Sequence, residues 1–333
     1  MSREFLLLVQ ESAYKTPVTT PSVYNYGSSP PSSPNAFYIR LDGANVFTMR
    51  PRPVMVTVPY GGGVAIDAFR VSDKIECKGR LVTKLYAGPL SQFLLQWAAQ
   101  TINSGQTAPW TTTEPAGDLA SVACYHAITR SDGSIKRRVY LGTKVDGFDV
   151  DVSEDGTITT LSMDLSASIP QGNQFDSSTD PTSTTFPPPT DSPNQLPINP
   201  YVFTHASGGL TIGSSRTQFQ SIKLSVKNQI ARRFWANRFV NLMRFVGRST
   251  TLQAVNFYAA SPDDRTSYEG LTTEATSFAL NNGTHSIAIN MNAASVISQF
   301  EDQLPLNDLY TQTMTITNQW DPTAGSDLAL TFT

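Results

Sequence analysis

The chain has 333 residues, 15% of them charged and 39% apolar, with a net charge of −3. That length suffices for one large or two ordinary domains with proper cores. Abundant Thr, Ser, Asn, Gly and Pro beside so few charges suit a turn-rich sheet protein rather than a helical enzyme. Cys77 and Cys124 lie far apart without a CxxC pattern, and His126, His205 and His285 show no ligand spacing. Buried free thiols are therefore expected, with no disulfide framework and no metal or cofactor.

In chain order, Met1 to about Asn35 reads as a polar N-terminal arm (1–36) ending in "GSSPPSSP", without the apolar periodicity of a core element. Its apolar run Phe5 to Val9 is too short for a signal peptide or membrane span, so a soluble protein made in a cytoplasm is expected. Strands are predicted at Val54–Tyr60 and Ile75–Tyr86, followed by a helix opened by Pro89. Leu90, Phe93, Leu94, Trp97 and Ala98 there fall on one stripe. A strand follows at Val122–Thr129.

The segment Asp151 to Thr159, "DVSEDGTIT", opens like a calcium-binding loop, but its twelfth position is Ser162 and it lacks flanking helices. Val139, Leu141 and Val145 alternate before it, then Phe148, Val150 and Val152 in the opposite phase, and Thr159, Leu161, Met163 and Leu165 after it. This is a long hairpin with a one-residue bulge at Asp146-Gly147.

Residues 171–200, rich in Pro, Ser and Thr, read as an extended linker. Strands resume at Ser221–Ile230 and Thr251–Tyr258, a short helical turn is predicted in "SPDDRTSYEG", and strands follow through Phe278–Leu280, the "NNGTHSIAIN" hairpin, Thr311–Thr317 and Leu328–Phe332. Both halves thus show two strands, a helix and then about three strands, so a duplicated β domain at 37–170 and 201–333 is expected.

Charge is segregated. From Val145 to Ser215 there is no Lys or Arg among nine acids; from Gly213 to Pro262 there is no Asp or Glu, yet Arg216, Lys223, Lys227, Arg232, Arg233, Arg238, Arg244 and Arg248 occur. Such asymmetry invites head-to-tail stacking of copies. Catalytic motifs are missing: there is no GxSxG, HExxH or Walker lysine, and "YGGGVAID" at Tyr60–Asp67 does not open a helix. Phe219, Phe234, Trp235, Phe239 and Phe245 among the arginines suit packing and contact surfaces better than stacking on nucleic acid.

The succession "ECKGRLVTKLYAGPLSQFLLQWAAQ", "VACYHAITR", "RVYLGTKVDGFDVDVSEDGTITTLSMDLSAS" and "FQSIKLSVKNQIARRFW" resembles major tail tube proteins of long-tailed bacteriophages. Tyr140, Gly142, Val145, Phe148, Val150, Val152 and Gly156 match that family's hairpin, and Ser221, Val226 and Asn228 its later strand. Gln229 departs from the family's doubled Asn. The likeness covers most of 45–333.

The resemblance implies a β-sandwich or barrel whose copies form rings, trimeric if the domain is duplicated and hexameric otherwise, stacked into a tube that conducts DNA. Partners would be further copies, tape measure and tail-end proteins, and DNA only in passage; the location would be the virion tail, with no membrane. On this reading Asp149, Asp151 and Asp164 are candidate lumen acids, since fixed cations would hold phosphates. Glu154 and Asp155 are candidate ring-to-ring contacts, received by Arg232, Arg233 or Arg238. The rival classes are a carbohydrate-binding or adhesin β protein and a β-rich hydrolase.

Overall fold

The computed structural model describes residues 3–18, 22–24, 34–41, 45–59, 67–85, 88–99, 110–111, 118–129, 135–153, 158–168, 206–216, 218–236, 238–257, 264–281, 286–303, 310–319 and 327–332. The chain is mainly β. Its first half contains β1 (Arg3–Ala13), β2 (Thr16–Pro17), β3 (Val23–Tyr24), β4 (Ala36–Leu41), β5 (Val46–Pro59), β6 (Asp67–Lys84), helix α1 (Pro89–Ala99), β7 (Trp110–Thr111), β8 (Val122–Thr129), β9 (Ile135–Ser153) and β10 (Thr160–Ser168). The second contains β11 (Ala206–Ile212), β12 (Ser214–Arg216), β13 (Phe219–Arg233), β14 (Leu242–Phe257), a one-turn helix α2 (Asp264–Glu269), β15 (Thr273–Asn281), β16 (Ser286–Gln303), β17 (Thr311–Thr317) and β18 (Leu328–Phe332). The linker reading at 171–200, the glycine-rich 60–66, His205 and His285 lie outside the described residues.

The first correction concerns the N-terminus. Far from being a polar arm, β1 is a central strand, antiparallel to β4 on one side and β8 on the other. Its run does not alternate because both faces are covered. Leu6 and Leu8 enter the main core, while Leu7 and Val9 pack with Ala36, Ala123 and Tyr125 in a second cluster. A doubly buried strand reads as a continuous apolar stretch, which period-two reasoning passes over.

The long strands β9 and β16 organise the rest. The N-terminal part of β9 pairs with β8, and its C-terminal part, after a positive-φ Gly142, pairs with β10. Asp146 is the extra residue of a bulge, because Gly147 pairs Asp164 while Val145 pairs Leu165. β16 does the same, pairing with β15 through Ser286–Met291 and with β17 through Val296–Gln303; Ser298 is its extra residue.

Pairing therefore repeats between halves. β5, β6, β10 and β9 lie side by side, and so do β13, β14, β17 and β16, with the hairpin, return strand and long strand in the same order. Beneath them β4-β1-β8-β9 is matched by β12-β11-β15-β16. Core-facing residues correspond in this order of pairings: Phe148 opposite Met163 matches Phe300 opposite Met314. The two four-stranded groups are fused through β9 and β13, giving one eight-stranded antiparallel sheet in the order β5-β6-β10-β9-β13-β14-β17-β16.

One face of this long sheet is core. Phe148, Val150, Val152, Leu161, Met163, Leu224 and Leu252 are buried there. α1 is embedded among them, with Phe93 against Phe37 and the Trp97 indole N–H donating to the Thr143 carbonyl at 3.1 Å. An embedded tryptophan removes on the order of 200 Å² from water, so α1 anchors the first half through its apolar surface.

Candidate functional site

The opposite face of the long sheet is largely polar on all eight strands, with Val46, Val82 and Val255 as exceptions, because period-two alternation puts every second residue there. The three sequence-predicted acids all lie on it. Asp149 and Asp151 stand between buried Phe148, Val150 and Val152, and Asp164 faces Gly147 across the ladder. The adjacent strands, however, bring bases to them. Lys223 lies 3.7 Å from both Asp149 and Asp151, and Arg80 lies 3.9 Å from Asp149 and 3.8 Å from Asp164. Asp149 also accepts from the Ser225 hydroxyl at 2.7 Å.

This face is thus not simply acidic in the first half: each of the three acids has a basic neighbour, and Arg50, Arg52, Lys78 and Lys227 share the same polar rows. In the second half the rows of β14 and β17 are uncharged, with Thr251, Gln253, Thr313, Thr315 and Thr317, while β13 carries Lys223 and Lys227 and β16 carries Glu301. Partial burial raises the Asp151 carboxyl above its ordinary range, Lys223 opposing the shift. Arg80 and Lys223 were visible as strand polar positions. Their partners were not, since Lys223 meets Asp151 only through the β9–β13 pairing.

That pairing also resolves the charge segregation. It lays the acidic tract directly against the basic one: half-buried Arg232 binds half-buried Asp146 at 2.5 Å and buried Ser166 at 2.7 Å. Arg216 forks onto buried Asp264 with Nε contacts of 3.1 and 3.2 Å, and Arg248 meets Asp327 at 3.3 Å. Of the predicted ring contacts, Arg232 is consequently engaged within its own chain.

Arg233 and Arg238 are exposed, flanking the turn between β13 and β14. Trp235 in that turn is 66% exposed at a φ of 47°. The turn is moored to the first half, since the Ile75 N–H donates to the Arg238 carbonyl at 2.8 Å. Glu154 and Asp155 lie outside the described residues, but their flanks are strands, Ser153 ending β9 and Thr160 opening β10. Those flanks exclude the helix-loop-helix frame that a calcium loop of this type requires.

The two turns lie at opposite ends of the long sheet. Ser153 pairs with Ser221 near the start of β13, and β13 then runs on to Arg233, away from the β9–β10 turn. Twelve residue steps at about 3.3 Å separate the ends by roughly 40 Å.

Among the described residues no cluster of His, Cys, Asp and Glu has the geometry to hold a metal ion. Cys77 and Cys124 are buried free thiols whose pKa values burial pushes up to about 12, which makes them inert rather than nucleophilic. What the arrangement offers among the described residues is surface: a broad, largely polar sheet face, the sheet edges at β5 and β16, and an end carrying exposed Arg233 and Arg238.

A comparison with curated proteins returned no match. A family model described as phage tail tube protein matches residues 1–302, most of the chain, and the chain accordingly belongs to the phage tail tube protein family, a structural rather than enzymatic component of the phage tail.

Proposed function

We propose that copies of this chain close into rings, three to a ring, that the rings stack into the tail tube, and that the polar face of the long sheet lines the bore through which DNA passes. The observation that carries this is the continuous eight-stranded sheet with one face in the core and the other largely polar. Strand spacing sets the size. Two copies would close roughly 16 strands to a backbone diameter of about 24 Å, which inward side chains would narrow below the width of a duplex; three would close roughly 24 strands to about 37 Å or more.

The pairing of acids with bases on this face suits passage. Phosphates bind to fixed cations, and every released counterion adds affinity; Asp149, Asp151 and Asp164 offset Arg80 and Lys223 on this face. The repeated strand order supports reading each half as one tube domain, so that three copies supply six. Stacking is assigned to the two ends: Glu154 and Asp155 of one ring toward Arg233 and Arg238 of the next, with Trp235 at the same turn. Tape measure and tail-end proteins would meet the terminal rings.

Purified protein imaged by negative stain tests the reading. Rings and tubes with three copies per ring are expected, while a strict monomer at all concentrations would refute it and favour an adhesin-like β protein.

A further inference from the structure

Among the described ion pairs, one alone joins a buried lysine to a carboxylate at hydrogen-bond distance. Lys144, on β9 just past Gly142, is 2% exposed, and its Nζ lies 2.6 Å from Asp118 Oδ2. The buried pairs Arg216–Asp264 and Arg248–Asp327 use guanidinium groups, and the lysines paired with Glu76, Asp149 and Asp151 are half-exposed. We propose that Lys144 and Asp118 condense to an isopeptide bond, a covalent brace between β9 and the segment leading into β8.

The surroundings favour the amide over the ion pair. An ammonium held away from water is costly, and one partly solvated carboxylate offsets that cost only in part. Burial accordingly pushes the Lys144 amine below its ordinary pKa, with Asp118 and Glu11 opposing the shift. Proton transfer along the 2.6 Å contact gives a neutral amine facing a carboxylic acid. Nζ then approaches the Asp118 Cγ to roughly 3–3.5 Å, the separation of a near-attack arrangement.

Asp118 Oδ1 accepts from the backbone N–H groups of Phe245 at 2.8 Å and Leu119 at 3.1 Å. These donors sit where negative charge develops as the amine attacks Cγ, as in an oxyanion hole. The step balances without a co-reactant. The Nζ–Cγ bond forms, the first ammonium proton is already on Oδ2, a second follows it there, and the Cγ–Oδ2 bond breaks to release water. Because the Asp118 side chain is 40% exposed, that water has a way out.

The product finds its partners in place. Its single N–H keeps the Met243 carbonyl, which Lys144 Nζ meets at 2.8 Å, and its carbonyl oxygen keeps Phe245 and Leu119. Both polar atoms of the new amide are therefore paired, and the buried charge at Lys144 is gone. Glu11, the other acid coupled to Lys144, is separately held by the N–H groups of Gly142 and Lys15 and by the Ser121 hydroxyl. The Tyr14 ring covers the site, its centroid 5.5 Å from Nζ. The bond closes the base of the β8–β9 hairpin beside the start of β14, where the two halves of the chain meet.

Intact-mass spectrometry of the purified full chain is the test. The folded protein, held at neutral pH until its mass is constant, should be one water lighter than its sequence. A tryptic digest should contain a branched peptide joining Asp118 to Lys144, with the cut after Lys144 missing. Asp118→Ala and Lys144→Arg should each carry the full mass, and Asp118→Ala, which removes a partly exposed side chain, should keep the β-sheet circular dichroism of the wild type. Full mass in the folded wild type, with normal cleavage after Lys144, would overturn the proposal. So would a water loss that maps to a linear peptide, because the Asp-Gly pairs of this chain can lose water by closing a cyclic imide.

Discussion

The Asn228 side-chain amide donates to the Ala98 carbonyl at the end of α1, at 2.9 Å, across the boundary between the two halves of the chain. The same amide donates to the Val145 carbonyl at 3.0 Å, and its oxygen accepts from Arg248 Nε at 3.2 Å. Arg248 also donates to the Ala99 carbonyl. A helix C-terminus with orphan carbonyls is thus capped by an amide and a guanidinium from the other half, the charge that its dipole favours.

Asn228→Ala should therefore cost about 2–3 kcal/mol, since it removes buried hydrogen bonds and strands two carbonyls. The urea midpoint of the unassembled chain should fall. Asn228→Asp should fare no better, because a carboxylate has no donor for Ala98 and Val145.

Gly79 has no room for a side chain. A Cβ built there would sit 1.6 Å from the backbone oxygen of Thr48 and 2.6 Å from the Met49 Cα. Gly79→Ala must push β5 off β6, a backbone displacement rather than a rotamer change, at an expected cost of at least ~3 kcal/mol. Because β5 is an outer strand of the sheet proposed to line the bore, assembly should fail at temperatures where the variant is still folded. A melting curve and negative-stain images of the same sample check both halves of this statement.

His126 is buried beside Glu4 at 2.5 Å and against the ring of Phe47 at 5.2 Å. Burial holds its imidazole below the ordinary value, with Glu4 opposing and Arg138 adding to the shift. A depressed folded pKa means that the unfolded chain takes up the proton first. Stability is then full above about pH 6.5 and is lost as pH falls through that value toward the folded pKa. Glu11, Asp146 and Asp151 are shifted upward by burial and contribute with the opposite slope. The comparison of His126→Gln with wild type isolates the histidine: wild type should lose more melting temperature than the variant between pH 7.5 and 5.5.

Strand content was legible wherever one face meets water. Ile222, Leu224 and Val226 alternate with Lys223, Ser225 and Lys227, and the phase change at Asp146 betrayed its bulge from sequence. β1 escaped because both its faces are buried. The joint of the two halves escaped for another reason: Asp151 and Lys223 are separated by a long stretch of chain, and nothing local marks strand partners. The repeat is faint because solvent-face equivalents, Asp164 and Thr315 or Arg80 and Gln253, are free to diverge. Only core pairs such as Phe148–Met163 and Phe300–Met314 keep their identity. Asn228 could be noticed from the family likeness, but its reason, the end of a helix some 130 residues earlier, is visible only in three dimensions.

Ring stacking makes its own prediction. Arg233 and Arg238 are exposed at one end of the sheet, whereas Arg232 is engaged by Asp146. Arg233→Glu with Arg238→Glu should leave rings but prevent tubes, and Trp235→Ala should shorten tubes. Arg232→Glu should instead destabilise the single chain, because it sets two carboxylates together at the bulge. Particle lengths in electron micrographs, with melting curves alongside, separate the two kinds of defect.

The bore offers the most direct functional test. If the polar face meets passing DNA, its acids serve to neutralise Arg80 and Lys223, and removing them should convert a slippery wall into a binding one. Asp149→Asn with Asp151→Asn keeps the size and hydrogen-bonding capacity of both side chains while freeing Lys223 in every copy. Tubes of this variant should retain DNA at low salt and release it steeply as salt rises, since log K falls in proportion to the number of phosphates neutralised. Wild-type tubes should show little retention under the same conditions. Fluorescence anisotropy of a labelled duplex against salt concentration gives the slope directly. Equal, weak retention by both would mean that this face does not line the channel, whatever the ring symmetry.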